Sequence, residues 1–284
     1  MTTEVGKKVQ GFYNKTPFPD YELSRFNCKG YLAASAWPFA EILDRSIDQD
    51  ASVIDVGTGT GQLSAFLSLR RKCVWGIDFS DSSLNKAKAL KEKLGLNSLH
   101  LKKVDILDKK QIEGIGKKFD VVLCLGVLHH TGDAYGGFQN ILKLLKPNGL
   151  VAVGLYNRFG RLPLKARIIL AKTVFKNNQK VKDGFIRMQI GDVEDKERAR
   201  GWWNDQYLHP HETTHTIGEV LKWFDKNGIE FIQIVPNKPD LGIRGVWNSE
   251  PKPNFVSRFF KQLKWIGQLD REGGYWITFG RMKK

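Results

Sequence analysis

The sequence has few cysteines and no long apolar run. Its three cysteines, Cys28, Cys73 and Cys124, lie far apart and form no CxxC pair, which argues against a structural zinc site and against a disulfide framework. Residues 1–8 lack the apolar core of a secretion signal, and no later stretch approaches the length of a membrane-spanning helix. We therefore expect an unsecreted, cytoplasmic protein.

Acidic residues are scarce relative to basic ones. The chain carries 45 Lys and Arg against 30 Asp and Glu, which gives a formal net charge of +15. Part of the excess is local, because a single acid, Asp183, lies among the basic residues between Arg158 and Arg187. This balance is typical of a protein that meets RNA, an anionic membrane surface or an acidic small molecule. It is equally typical of a lysine-rich surface that maintains solubility.

From about Ala51 onward, short β-branched runs alternate with longer amphipathic stretches. This alternation is typical of the βαβ units of a parallel sheet, and 284 residues suit one α/β domain with insertions or at most two domains. The pattern predicts strands over 52–56, 74–77, 99–103, 119–123, 150–155, 230–235 and 275–281. It predicts helices over 62–70, 82–94, 138–145 and 217–226.

The most informative motif is a glycine loop after the first predicted strand. The stretch from Val53 to Gly61 reads VIDVGTGTG and opens a helix at Gln62. Glycine permits a positive φ and lets backbone amides approach a ligand closely. Nicotinamide and flavin enzymes carry a related loop, but theirs is spaced GxGxxG to bind a pyrophosphate. Here an acid, Asp55, lies inside the strand, where it would repel pyrophosphate and can help to hold an ammonium group.

Two further acids follow in order near the ends of the next strands, Asp78 in WGIDFS and Asp105 in VDI. Together with the glycine loop, the LGVLHH loop and the LKPNGL turn, they make residues 50–155 resemble the class I S-adenosylmethionine-dependent methyltransferases. The resemblance implies an α/β fold, a Rossmann-like doubly wound sheet of seven strands that is mostly parallel, with an antiparallel last strand and helices on both faces. It also implies S-adenosyl-L-methionine as the cofactor.

The same resemblance assigns a role to each part of the cofactor site. The glycine loop would pack against the methionine and the ribose, Asp78 would accept from both ribose hydroxyls, and Asp105 would accept from the adenine amine. The cofactor-binding residues predicted in this way are Asp55, Gly57, Thr58, Gly59, Gly61, Asp78, Phe79, Asp105, Ile106, Leu125 and Gly126. Two other interpretations stay open, a nicotinamide oxidoreductase and a catalytically inactive cofactor-binding scaffold.

Two segments interrupt the alternation and are candidates for recognising the methyl acceptor. We expect an N-terminal lid over 1–48, a cofactor-binding core over 49–155, an insertion that caps the substrate over 156–215, and a completion of the core over 216–284. Segments placed before the first strand and after the fifth can cover the crevice at the carboxyl ends of the strands. The aromatic stretches 12–21 and 202–212 also resemble a group of largely uncharacterised bacterial methyltransferases.

The stretch from His211 to His215 reads HETTH, the zinc-protease motif. That motif binds zinc only on a continuous helix, whereas Pro210 precedes it here. Thr216 to Glu219 reads as a capping box that starts a helix just afterwards. We expect these histidines to lie in the connection before that helix and to bind no metal. They would line the acceptor pocket or make ordinary loop hydrogen bonds.

Methyl transfer from a sulfonium is an in-line displacement, so a general base is needed only when the acceptor must lose a proton. Candidates for this base are His129 and His130, which follow the fourth strand, and then Tyr13, Tyr156 and His211, with His129 favoured. We expect a small-molecule acceptor, anionic or lipid- or quinone-like, because the fourth strand ends in CLGV rather than in the Asp/Asn-Pro-Pro motif of base-amine methylation. The alternative is a tRNA or rRNA that meets the basic surface. A basic amphipathic helix over 164–176 is a candidate for peripheral membrane contact.

Overall fold

The computed structural model describes residues 4–174, 178–190, 196–236, 247–268 and 273–284. Within these residues, seven strands form one sheet: β1 Val53–Val56, β2 Val74–Asp78, β3 Leu99–Lys103, β4 Phe119–Leu125, β5 Leu145–Tyr156, β6 Ile229–Pro236 and β7 Tyr275–Met282. The order across the sheet is β3-β2-β1-β4-β5-β7-β6. Strand β7 is antiparallel to both of its neighbours, while the other pairs are parallel. The predicted mixed sheet with an antiparallel last strand is therefore confirmed.

The central strands are covered on both faces, which explains why their sequence is apolar without alternation. All four residues of β1 are buried. Ile54 and Val56 belong to one core cluster, and Val53 belongs to the cluster on the other face. Strand β1 pairs with β2 on one side and with β4 on the other. The strand order reverses there, and ligands of such sheets bind at this switch point beyond the carboxyl ends of the strands.

Helices cover both faces of the sheet. Their bounds are α1 Glu4–Lys15, α2 Lys29–Ala34, α3 Pro38–Ser46, α4 Gln62–Leu67, α5 Asp81–Leu94, α6 Lys109–Glu113, α7 Ala134–Leu142, α8 Leu162–Thr173, α9 Gln179–Ile190, α10 Lys196–Leu208, α11 Ile217–Lys226 and α12 Phe255–Gln268. Buried side chains of α3, α4 and α5 form one core cluster with the sheet, and those of α7, α11 and α12 form the other.

Two predicted helices differ from the observed ones at their ends. Helix α7 begins at Ala134 rather than at Phe138, because Asp133 caps it by accepting a hydrogen bond of 2.8 Å from the backbone of Gly136. It ends at Leu142, and the chain enters β5 at Leu145, where the prediction still had helix. Helix α4 ends at Leu67 because the Ser68 amide turns back to nearby carbonyls, so the predicted extension to residue 70 is wrong.

The predicted amphipathic stretch 164–176 forms most of α8, but its apolar residues do not share one face. Leu164 and Ala171 are buried, whereas Ile169 is 61% exposed. Residues 175 and 176 lie outside the described part of the chain. Among the described helices, none combines the length and the apolar character that crossing a bilayer requires.

Candidate functional site

A cavity of about 780 Å³ lies at the carboxyl ends of the parallel strands. Ten of the predicted cofactor-binding residues line it: Asp55, Gly57, Thr58, Gly59, Asp78, Phe79, Asp105, Ile106, Leu125 and Gly126. Gly61 does not line the cavity. It caps α4 with a φ of 81°, and a Cβ there would lie 2.7 Å from the Cβ of Ala87. Its absent side chain therefore permits close helix packing, and the structure brings the other ten residues together around one space.

Asp78, at the end of β2, ties the glycine loop to the sheet. One carboxylate oxygen accepts from the Gly59 amide at 2.9 Å, and the other accepts from the Ser80 amide at 2.8 Å. Burial raises the pKa of Asp78, and these backbone amides oppose the rise. The carboxylate is therefore fixed on the cavity wall, with remaining lone pairs able to accept from a ligand.

Asp55, in β1, is the second buried acid of the cavity. The Thr58 hydroxyl donates to it at 2.7 Å and lies 2.7 Å from the Ser64 hydroxyl. Burial raises the pKa of Asp55 to about 7, and the Asp78 carboxyl adds to the rise. A cation bound near Asp55 would reverse this effect, because an opposite charge favours the ionised carboxyl. The pair of acids therefore fits a ligand that carries an ammonium group and hydroxyls.

Asp105 and Ile106 follow β3 and line the same cavity. The Asp105 carboxylate accepts from the Leu107 amide at 2.9 Å. The Asn140 side chain donates to the Ile106 carbonyl at 2.8 Å and so connects this turn to α7. The turn thus presents a carboxylate beside an apolar side chain, an arrangement that suits a flat base with an exocyclic amine.

The N-terminal segment, residues 4–48, packs directly on the glycine loop. The Gln10 side chain donates to the Phe79 carbonyl at 2.7 Å, and the Ser80 hydroxyl donates to the Asn14 side chain at 2.8 Å. The Tyr21 hydroxyl donates to the Thr60 carbonyl at 2.8 Å. At Gly59, whose φ is 55°, an added Cβ would overlap the carbonyl oxygen of Phe18. Glycine is required here both by the backbone conformation and by this close approach.

Helix α1 meets helix α10 at the wall of the cavity. The Tyr13 hydroxyl donates to Asp205 at 2.9 Å, and Gln206 donates to the Tyr156 hydroxyl at 2.7 Å and to Asp205 at 2.9 Å. All four side chains line the cavity. Burial raises the pKa of Asp205 above its usual range, and burial together with Asp205 raises the pKa of Tyr13 well above its usual range. Tyr13 therefore stays protonated and acts as a hydrogen-bond donor to a carboxyl.

Behind this group, a buried arginine fixes the insertion to the sheet. Arg161 is fully buried, pairs with Glu212, and lies 3.6 Å from the centre of the Tyr156 ring. It also donates to Gln206 at 2.6 Å and to the Gly273 carbonyl at 2.8 Å. Breaking the Arg161–Glu212 pair would leave a buried charge without a partner and is therefore costly. The pair thus holds Arg161 in place, and Arg161 in turn supports the Tyr156 and Gln206 side chains.

The histidines occupy different positions around the site. His130 lines the cavity, and its Nδ1 donates to the His211 carbonyl at 3.0 Å, which leaves Nε2 as the lone-pair nitrogen. Burial lowers the pKa of His130 to about 3 and that of His209 to about 3. The rings of these two neutral histidines lie 3.7 Å apart, centre to centre.

Of the five candidate bases, Tyr13, His130 and Tyr156 line the cavity, and His129 and His211 do not. His129 is fully buried, and both of its ring nitrogens lack a hydrogen-bond partner. The Nε2 of His211 donates to the Thr131 carbonyl at 3.0 Å. Both histidines lie outside the cavity lining, and a role as the base stays a prediction for them.

The HETTH stretch lies in the connection before α11, as predicted. Thr216 and Glu219 form the expected capping box. His215 contacts Glu219 at 2.9 Å and the Thr213 hydroxyl at 2.9 Å. Among the described residues, no group of three or more His, Cys, Asp or Glu side chains has the arrangement of a metal site. That the chain binds no metal stays a prediction.

Sequence motifs did not reveal the role of Asp205, Gln206 or Arg161. Tyr13 and Asp205 are 192 positions apart in the chain, and only the packing of the insertion on α1 brings them together. The sequence did indicate the region, since Asp205 and Gln206 lie inside the aromatic stretch 202–212, a candidate for recognising the methyl acceptor.

Comparison with known proteins identifies the fold and the family. A family model described as a methyltransferase domain matches residues 47–228. An uncharacterised protein of Synechococcus sp. is 22% identical over 256 residues, which cover 82% of this chain and 60% of that protein. A ubiquinone biosynthesis O-methyltransferase of Coxiella burnetii is 27% identical over 183 residues, which cover 64% of each chain. The chain thus spans less than two thirds of the length of these two relatives.

Solved structures share the fold at low identity. PKMT2 from Rickettsia typhi aligns with a TM-score of 0.56 and 16% identity over 87% of this chain and 54% of that one. A chain from a Haloferax volcanii complex between a methyltransferase activator and a methyltransferase aligns with a TM-score of 0.51 and 14% identity, covering 98% and 95% of the two chains. These likenesses support the Rossmann-like architecture.

Proposed function

The chain belongs to the class I S-adenosylmethionine-dependent methyltransferases, and we propose that it transfers the methyl group to a small-molecule acceptor enclosed between the N-terminal segment and the insertion. Its cofactor is S-adenosyl-L-methionine, which supplies a methyl group on a sulfonium that a nucleophile displaces in line. We further propose that the chain divides functionally as expected, into a lid over 1–48, a core over 49–155, a cap over 156–215 and a completed core over 216–284.

The side chains on the β1–β3 side of the cavity fit this cofactor. Asp55 would face its ammonium group, Asp78 would accept from the ribose hydroxyls, and Asp105 with Ile106 would hold the adenine. The three carboxylates lie on the same cavity at the ends of successive strands. A pyrophosphate at the glycine loop would be repelled by Asp55, which argues against a nicotinamide dinucleotide at this site.

The observation that carries the small-molecule proposal is the closure of the cavity by α1 and α10. Tyr13 on α1 donates to Asp205 on α10, and Gln10 and Asn14 connect α1 to the end of β2. A polynucleotide would have to separate these helices to bring a base to the sulfonium. A small acceptor fits the space between them, and shielding from water there would strengthen the electrostatic interactions.

The Tyr13–Asp205 pair can remove a proton from an acceptor hydroxyl. Because Tyr13 donates its own proton to Asp205, the tyrosine oxygen presents its lone pairs to the cavity. A proton leaving the acceptor oxygen would pass to Tyr13 while the tyrosine proton passes to the Asp205 carboxylate. The raised pKa of Asp205 makes it a better proton acceptor than an exposed carboxylate. The C. burnetii relative is an O-methyltransferase, which supports an acceptor that carries a hydroxyl.

The acceptor class is tested with methyl-labelled S-adenosylmethionine and a total cell extract. After incubation, small molecules, lipids, RNA and protein are separated and counted. We expect label in the small-molecule or lipid fraction. Label chiefly in RNA would refute the proposal and favour the alternative, and no label in any fraction would favour an inactive scaffold.

The proton-transfer pair is tested with the acceptor found in this way. Tyr13→Phe and Asp205→Asn should each lower kcat by about 10²- to 10⁴-fold while S-adenosylhomocysteine affinity is retained. The matched control is Tyr135→Phe, because the Tyr135 hydroxyl bonds Asn227 on the outside of the cavity. Unchanged kcat in both site variants would show that the acceptor loses its proton without this pair.

A further inference from the structure

Helix α12 presents its apolar side to solvent. Five of its apolar side chains are between 37% and 75% exposed: Phe255, Val256, Phe259, Phe260 and Leu263. At about 100° per residue, these five positions share an arc about 140° wide that runs along the helix. We call this surface the apolar arc. Surface helices of globular proteins normally turn such an arc towards the core, so this one is oriented the opposite way.

The packed side of α12 explains this orientation. Gln262 is buried, accepts from the Asn157 side chain at 3.1 Å and accepts from the Ile217 backbone at 2.9 Å. Trp265 is buried and lies 5.6 Å from Trp276, ring centre to ring centre. These buried contacts fix the rotation of the helix about its axis. Rotating the apolar arc inward would expose Trp265 and break both bonds to Gln262.

The charges of α12 indicate what covers the arc. The helix contains Arg258, Lys261 and Lys264 and no acidic residue. Lys264 is exposed and lies at the edge of the arc beside Phe260, one helical turn further along the chain. Phenylalanine rings with a lysine at their border suit a helix that lies in the interface of an anionic bilayer, with the rings among the acyl chains and the ammonium group at the headgroups.

A second copy of the chain fits the arc less well. In a two-fold symmetric contact the same helix would face itself, and Lys264 at the edge of the arc would meet a helix that carries no acidic residue. A bilayer with anionic lipids complements both the apolar and the basic part of the surface. We propose that α12 is a peripheral membrane-binding helix that inserts the apolar arc into an anionic lipid surface. This inference is independent of the proposed methyl acceptor.

The test is co-sedimentation of the full chain with vesicles of phosphatidylcholine alone and of phosphatidylcholine mixed equally with phosphatidylglycerol. We expect binding to the mixed vesicles that falls with added salt, and little binding to the neutral ones. The double variant Phe259→Ser/Phe260→Ser should bind the mixed vesicles at least about tenfold more weakly, because transfer of one phenylalanine ring out of water changes a binding constant by about tenfold or more. Lys264→Gln should weaken it about fivefold.

The matched control is Ile169→Ser, a substitution of a residue that is 61% exposed on α8. We expect it to bind vesicles as the parent does. Thermal unfolding and S-adenosylhomocysteine affinity should be unchanged in every variant, because α12 residues 259, 260 and 264 do not line the cavity.

Three results would overturn the proposal. The first is no binding of the parent chain to mixed vesicles. The second is loss of binding in Ile169→Ser but not in the double phenylalanine variant, which would assign the contact to α8. The third is a parent chain that is dimeric in light scattering, ignores vesicles and becomes monomeric in the double variant, which would make the arc a contact between copies.

Discussion

Replacing Asp78 by Asn tests the cofactor site at the residue that connects it to the glycine loop. Asp78 uses both carboxylate oxygens to accept from the backbone, from Gly59 at 2.9 Å and from Ser80 at 2.8 Å. Asparagine has one oxygen and an NH₂ group, so one of these amides would face another donor. The substitution also removes the charge that would accept from the ribose hydroxyls. Hydrogen bonds to charged groups are worth about 1.5–3 kcal/mol.

We therefore expect S-adenosylhomocysteine to bind Asp78→Asn roughly 10- to 160-fold more weakly, measured by calorimetry. The matched control is Asp108→Asn. Asp108 also accepts from two backbone amides, those of Lys110 and Gln111, but it caps α6 outside the cavity. Its loss should lower stability without changing ligand affinity. A folded Asp78→Asn protein with parental affinity, or tight NADH binding by the parent, would refute the assignment of the site.

Three other predictions address the same cavity and its surroundings. Asp55 has a pKa raised to about 7, so it becomes protonated below that pH, and S-adenosylmethionine affinity should fall by up to about tenfold per unit as pH drops from 7. Asp55→Asn should flatten this dependence in calorimetry at several pH values. Gly59→Ala should lower the unfolding temperature more than Gly95→Ala, since both glycines have positive φ but only Gly59 faces a carbonyl; equal losses would contradict the proposed close approach. The segment with His211 should hold no stoichiometric metal in elemental analysis, and one zinc per chain that disappears in His211→Ala would show the reverse.

The sequence predicted the strands well because buried parallel strands leave a strong local signal. Strands β1 and β4 are short, largely apolar runs, and the glycine loop marks where β1 ends. Of the helices outside the βαβ repeat, only α8 was predicted, as the amphipathic stretch 164–176. In α12 the apolar spacing is regular, but its apolar residues face solvent, so the usual association between an apolar stripe and a core does not hold. The prediction for α7 began four residues too late, because the first turn of the helix contains two glycines and depends on a cap.

The residues proposed to hold the cofactor could be predicted from local sequence, since each of their acids lies within two residues of the end of a strand. The acceptor side could not. Tyr13, Asp205 and Tyr156 come from three distant segments, and their approach depends on how α1 and α10 pack. The adjacent histidines show the limit clearly, because nothing in the sequence distinguishes His130, which lines the cavity, from the fully buried His129.

The position of α12 relates the apolar arc to the cavity. Gln262 bonds Asn157, which directly follows Tyr156 at the end of β5, and Tyr156 lines the cavity. The helix is thus fixed to the same edge of the sheet at which the acceptor would bind. An acceptor that partitions into a bilayer would be delivered near that edge, whereas a soluble anionic acceptor would gain nothing from α12. Label in the lipid fraction together with vesicle binding through Phe259 and Phe260 would therefore show that α12 and the cavity act together on a membrane-bound acceptor. Label in the soluble fraction would show that the membrane contact of α12 is unrelated to the acceptor.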